Sequence, residues 1–232
     1  MTTWKSVQPK DSAIAGWLRV LDIKSIKKDR DHILVYNRIQ LLLDELNLLR
    51  DKLHLLSVSP AVFEPSLAKL EKALSPAILH TTAEHVRQHL SEDVYTGLAF
   101  SSELILEEEE AISEGDFREF VGLVNQLDLL LQDGSLPTSL VVLIRNHIRL
   151  AELAIAQYPI RGAIALKDAV KSAIGDLAFE AESLRPAGRD NAEKIQRLWT
   201  KANEMADGAI KVDNLVQLGG RAMKFLSDLT GP

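Results

Sequence analysis

The chain has 232 residues, of which 46% are hydrophobic, 26% charged and 5% aromatic, and it contains no cysteine. The lack of cysteine excludes disulfides, thiolate-bound metals and thiol catalysis. The formal net charge is −6, and residues 61–135 alone carry 15 acidic side chains against 4 basic ones. An acidic middle third repels phosphate, so it argues against nucleic-acid binding and favours a protein partner with a basic surface.

The beginning of the chain shows no targeting segment, because Lys10, Asp11 and Arg19 interrupt any apolar stretch there. Elsewhere the apolar stretches are short and contain charges, whereas a bilayer span needs about 20 mainly apolar residues. We therefore expect a cytoplasmic protein with no integral membrane span.

Two helices are predicted in the first 60 residues, a short one at Asp11–Ile23 and a long one at Asp29–Ser57. The long helix carries apolar side chains at alternating intervals of four and three residues, which is a heptad pattern. This seam consists of Val35, Ile39, Leu42, Leu46, Leu49, Leu53 and Leu56. A second row of leucines beside it makes the apolar face too wide for a two-stranded coil, so we expect several neighbouring helices. Packing of the seam across a dimer axis is the alternative, which leaves a homo-oligomer open.

The next part of the chain contains Pro60, Pro65 and Pro76, which predict only short helices, at residues 66–74, 77–90 and 92–108. Ser113 with Asp116 then resembles a capping box and starts a helix that ends at Asp133–Gly134. Four further amphipathic stretches follow. They begin near residues 137, 163, 190 and 212, and Tyr158–Pro159 is expected to end the first of them.

These elements predict an all-α multi-helix bundle of about eight or nine helices, without a regular repeat. We expect one domain over residues 1–232. A helix break at residues 109–115 leaves the alternative of an N-terminal helical part, 1–110, and a C-terminal bundle, 111–232.

Two histidine patterns in the sequence resemble functional sites. His85 and His89 share a helical face, but Ser91 is expected to cap a new helix and to turn Glu92 away from them, so no metal site is predicted. Arg145 and His147 lie two residues apart, about 200° around a helix, so they cannot handle one phosphate together. We assign no catalytic residue, metal or cofactor.

The strongest anomaly of the sequence is a group of acidic residues that we call the acidic strip. It comprises Glu107, Glu108, Glu109, Glu110, Glu114, Asp116 and Glu119. Adjacent carboxylates repel each other and weaken a helix unless solvent or a cation screens them. The strip is interpreted either as a solvated helix end or as a docking strip for a basic protein. In both cases reversal of Glu107–Glu110 is expected to leave the protein folded.

The sequence therefore predicts a non-enzymatic protein-interaction module of adaptor, immunity or toxin-neutralising type. One alternative is a helical enzyme such as a nuclease, with His85, His89, Arg145 and His147 supplied by separate helices. Another is a peripheral membrane protein that uses the amphipathic C-terminal stretch.

Overall fold

The computed structural model describes residues 4–24, 28–105, 109–132, 136–179 and 189–210. The prediction of an all-α fold is confirmed, because these residues contain helices and no strand, with only isolated bridges at Ser12–Thr82 and Glu109–Ile210. In the same residues no helix is long and apolar enough to cross a membrane. The α-helices are α1 (Ala13–Val20), α2 (Lys28–Leu55), α3 (Pro60–Ala73), α4 (Ala83–His89), α5 (Glu92–Leu104), α6 (Glu114–Leu131), α7 (Thr138–Arg161), α8 (Ala163–Phe179) and α9 (Arg189–Ala209). Short 3₁₀ turns lie at Trp4–Ser6 and Pro76–His80.

The heptad seam of α2 is buried as predicted, except at its last position. Its first six members, from Val35 to Leu53, are at most 1% exposed, whereas Leu56 is 53% exposed. The helix ends before Leu56 because Ser57 adopts a left-handed conformation with φ of 57°. The amide of Val58 then donates to the carbonyl of Leu53 at 3.0 Å, which closes the helix end.

Two prolines that were expected to interrupt or end helices lie inside helices instead. Pro65 is in the second turn of α3, and α7 continues past Pro159 to Arg161. A proline removes one backbone hydrogen bond. Both helices nevertheless continue, since apolar side chains on either side, such as Phe63 and Leu67 in α3, are packed in the core.

The described residues form two compact units, one before residue 106 and one from Glu109 onward. The number of domains stays a prediction.

In unit 1 (α1 to α5), Trp4 and Trp17 meet edge to face with ring centroids 4.8 Å apart. Gly16 allows this contact, because a Cβ there would lie 2.7 Å from the Trp4 ring. Arg87 of α4 fixes the N-terminal segment by donating to the carbonyls of Trp4, Lys5 and Val7.

Unit 2 contains α6 to α9, and each helix contacts the next one along the chain while α9 returns to α6. This closed arrangement is a four-helix bundle. Its core includes Phe120, Leu127, Leu140, Ile144, Leu166, Leu198 and Trp199. The predicted cap of α6 is present, since the Ser113 hydroxyl accepts a hydrogen bond from the amide of Asp116 at 3.1 Å.

Candidate functional site

The first residues of the acidic strip are not all solvated. Glu107 and Glu108 lie outside the described residues. Glu109 is half-buried, and its carboxylate accepts a hydrogen bond from the amide of Ala163, the first residue of α8, at 2.9 Å. A carboxylate in this position caps a helix N-terminus and meets its partial positive charge. The expectation that the whole run is solvated is therefore wrong for Glu109.

The position of the Glu109 carboxylate requires a glycine at position 162. Gly162, which joins α7 to α8, has φ of +60°, and a Cβ at this position would lie 1.7 Å from Oε1 of Glu109. Only glycine provides both the backbone conformation and the space. Residues 54 positions apart in sequence, 109 and 163, are thus joined at one corner of unit 2.

Hydrogen bonds to the rest of unit 2 also hold the chain that follows Glu109. The amide of Glu110 donates to the carbonyl of Ala209 at 2.8 Å. The amide of Ile112 donates to the hydroxyl of Tyr158 at 3.1 Å. The chain between Glu109 and the start of α6 is therefore fixed against α7, α8 and the end of α9.

Two members of the strip share one lysine. Nζ of Lys201 on α9 lies 2.7 Å from Asp116 and 2.6 Å from Glu119, while the lysine side chain itself is only 15% exposed. The hydrogen bonds from Lys201 and then from Ser113 lower the pKa of Asp116. The hydrogen bonds to Asp116 and Glu119 raise the pKa of Lys201. Asp116 and Lys201 thus stay charged at neutral pH, and the ion pairs of Lys201 connect α9 to α6.

The remaining strip residues with described positions are Glu110 and Glu114, and both are exposed. Glu114 occupies the first turn of α6, where a carboxylate complements the partial positive charge of the helix end. The structure therefore divides the described part of the strip into a half-buried cap at Glu109, a pair around Lys201 and two exposed carboxylates.

Segment 110–116 and the second half of α9 enclose a cleft of about 290 Å³. We call it the acidic cleft. It is lined by Glu110, Ala111, Ile112, Ser113, Asp116, Lys201, Glu204, Met205, Gly208 and Ala209. Apolar groups thus lie beside three carboxylates and one ammonium group.

Glu204 belongs to this cleft and was missed in the sequence. Positions 201, 204, 205 and 208 recur at helical spacing, so they share one face of α9. That spacing was visible in the sequence. The proximity of this face to residues 110–116 was not, because it depends on the packing of α9 against α6.

The histidine patterns do not form sites in the described part of the chain. Ser91 is the N-cap of α5, as predicted, and it separates Glu92 from His85 and His89 on α4. No group of three or more His, Asp or Glu side chains in the described residues could hold a metal ion.

The second pattern, Arg145 with His147, is divided between surface and core. Arg145 is exposed, while His147 is fully buried within unit 2, so the two side chains point apart as their spacing predicts.

Comparisons with protein-family models, with curated proteins and with solved structures find no match for this chain. Function must therefore be inferred from the residues and their geometry.

Proposed function

We propose that this chain is a non-enzymatic protein-interaction module, of adaptor, immunity or toxin-neutralising type, that binds a protein partner with a basic surface. The observation that carries the proposal is the acidic cleft of unit 2, where apolar groups and carboxylates lie together in a concave site. Pockets that hold a small ligand usually combine an apolar lining with a few oriented polar groups, and one side chain of a partner is a group of that size.

The charges around the cleft favour a cationic group. Glu110, Asp116 and Glu204 line it against the single ammonium group of Lys201. The C-terminal end of α9 adds a partial negative charge, while the partial positive charge at the start of α6 is met by Glu114 and Asp116. A lysine or arginine side chain of the partner would gain electrostatic attraction here and place its aliphatic stem along Ile112 and Met205.

The ion pairs with Lys201 restrict which strip residues are available for docking. Asp116 and Glu119 already share this lysine, so a partner would have to compete with an existing ion pair. Glu110 and Glu204 are both exposed on the rim of the cleft, and they are the residues that we expect a partner to contact first. Since the hydrogen bonds of segment 109–113 fix the rim in advance, little ordering would be needed on binding.

A stable protein interface buries about 1,200–2,000 Å² in total, which is far more than one cleft provides. The cleft is therefore the anchor of a larger contact. A few central residues usually supply most of the binding energy of such a contact.

The test compares three baits in extracts of the native host: wild type, E110K/E204K and D128K/E152K. Asp128 and Glu152 are exposed carboxylates on α6 and α7 that do not line the cleft. Each double variant replaces two carboxylates by two lysines, so both change the net charge by the same amount. We expect a basic protein to be retained by wild type and by D128K/E152K and lost by E110K/E204K. Equal retention by all three baits, or equal loss from both variants, would refute the role of the cleft.

The alternatives have weaker support. The helical-enzyme alternative draws on His85, His89, Arg145 and His147 from separate helices, and of these His147 is fully buried within unit 2. The membrane alternative depends on residues 212–226, which lie outside the described residues. A cytoplasmic location and a homo-oligomer stay predictions.

A further inference from the structure

The core of unit 2 contains one ionisable side chain that no other role explains. His147 projects from α7 and is 0% exposed. Its Nδ1 lies 3.0 Å from the indole nitrogen of Trp199 on α9, and the two ring centroids are 5.8 Å apart. Its Nε2 is buried and has no hydrogen-bond partner in the described residues.

The Trp199 hydrogen bond determines where the proton of His147 lies. An indole nitrogen is only a donor, so Nδ1 of His147 must be the acceptor and carry a lone pair. The neutral ring is therefore protonated on Nε2. A second proton could be added only at Nδ1, where it would face the indole N–H and replace the hydrogen bond by a repulsive contact.

The surroundings of His147 also oppose its charged form. Burial lowers the pKa of His147, and the negative charge of Asp176 on α8 offsets only part of this effect. Asp176 is half-buried, and it is the charged group that acts on the ring from α8.

Most other charged side chains in the described part of the bundle are exposed or already paired. The exposed charged side chains with described burial on α6, α7 and α9 are Glu114, Arg118, Glu119, Asp128, Arg145, Arg149, Glu152, Glu193, Arg197, Glu204 and Asp207, while Arg161 and Lys194 are half-buried. Lys201 follows Trp199 by two positions on α9, and it forms ion pairs with Asp116 and Glu119. The positive charge of a protonated His147 would thus have little negative charge nearby to balance it. Protonation would require the imidazole to separate from the indole of Trp199.

We propose that the His147–Trp199 pair is an acid-sensitive contact that joins α7 to α9 while the imidazole is neutral and releases Trp199 when the imidazole is protonated. Trp199 is 5% exposed in the neutral state, so its release changes the packing of α9 within the bundle. The contact is inferred from its own geometry rather than from the proposed docking function, and it is testable without a partner.

The test follows the indole N–H signals of the full chain by ¹H–¹⁵N NMR between pH 7.5 and 4.5. The chain has three tryptophans, so W199F assigns the Trp199 signal, and Trp4 and Trp17 serve as internal references. We expect the Trp199 signal to move with a midpoint below 6.5, the ordinary histidine value. In H147Q the glutamine oxygen can accept the same hydrogen bond without titrating, so the signal should stay constant.

A global acid transition is distinguished by the same variants. If all three indole signals change together in wild type and this change is absent from H147Q, His147 controls the transition and the proposal stands. A Trp199 signal that is constant in folded wild type, or that moves with the same midpoint in H147Q, would overturn it.

Discussion

The two units bury tryptophan in different ways. In unit 1, Trp4 and Trp17 pack against each other, and both indole N–H groups are buried with no hydrogen-bond partner in the described residues. In unit 2, the indole N–H of Trp199 is paired with His147. The tryptophan pair of unit 1 therefore relies on apolar contact, whereas the buried indole of unit 2 is paired with an ionisable side chain. Outside the cores the two units are alike, because charged groups join helices in both: Arg50 of α2 pairs with Glu64 of α3 in unit 1, and Lys201 of α9 pairs with Glu119 of α6 in unit 2.

The largest expected effect is in the apolar core of unit 1. Leu46→Ala in α2 removes a side chain that is 1% exposed, so it should lower the free energy of unfolding by about 2–5 kcal/mol through lost burial and a cavity. Chemical denaturation measures this loss. Leu55→Ala, at a position 81% exposed, is the matched control and should change stability by less than about 0.5 kcal/mol. Similar losses in both variants would mean that the seam does not hold this unit together.

The seam of α2 was predictable because local spacing alone decides which side chains share a face. The corner at Glu109 was not, since the carboxylate meets a backbone amide 54 residues later. Likewise, Lys201 lies 85 residues from Asp116, and no local pattern connects them. The sequence therefore predicted the helices and the acidic anomaly, but not which acids the fold uses for its own stability.

The next effect concerns the Glu109 corner of unit 2. Gly162→Ala should cost about 1–3 kcal/mol, because alanine tolerates the positive φ poorly and its Cβ meets the carboxylate of Glu109. Gly122→Ala is the control, since a Cβ on this α6 residue meets nothing within 4 Å and alanine favours a helix. Thermal denaturation should separate the two variants. A harmless Gly162→Ala would contradict the described corner.

A double variant sharpens this prediction. Glu109→Ala removes the clash but leaves the backbone strain, so Gly162→Ala should cost less in that background. Equal costs in both backgrounds would show that the carboxylate does not restrict position 162. Glu109→Lys should also destabilise unit 2, because a lysine cannot accept the hydrogen bond from the amide of Ala163.

A smaller effect is expected from pH. Because the pKa of folded His147 is lowered, the unfolded state takes up this proton first as pH falls below about 6.5. The contribution is constant above that pH, and stability then decreases by at most about 1.4 kcal/mol per pH unit until the folded ring titrates. Urea denaturation at pH 7.5 and 5.5 should show this decrease in wild type and not in H147Q. An equal decrease in both proteins would assign it to other groups.

The carboxylates titrate in a separate window. Hydrogen bonds from Lys201 to Asp116 and from Lys167 to Asp207 lower the pKa of each carboxyl. Their contribution to stability is present above about pH 3.9 and is lost only as pH falls further through the folded values. Stability lost between pH 6.5 and 5 is therefore expected to come from His147 rather than from these ion pairs.

The most direct measurement of the central claim is the affinity of an oligolysine peptide for wild type, E110K/E204K and D128K/E152K. We expect wild type and D128K/E152K to bind equally, and E110K/E204K to bind about tenfold more weakly, a difference of about 1.4 kcal/mol. Raising salt from about 50 to 500 mM shortens the Debye length from roughly 14 to 4 Å, and should weaken wild-type binding while reducing its advantage over E110K/E204K. Equal affinities for all three proteins, or equal weakening by the two charge reversals, would contradict a docking site at the acidic cleft.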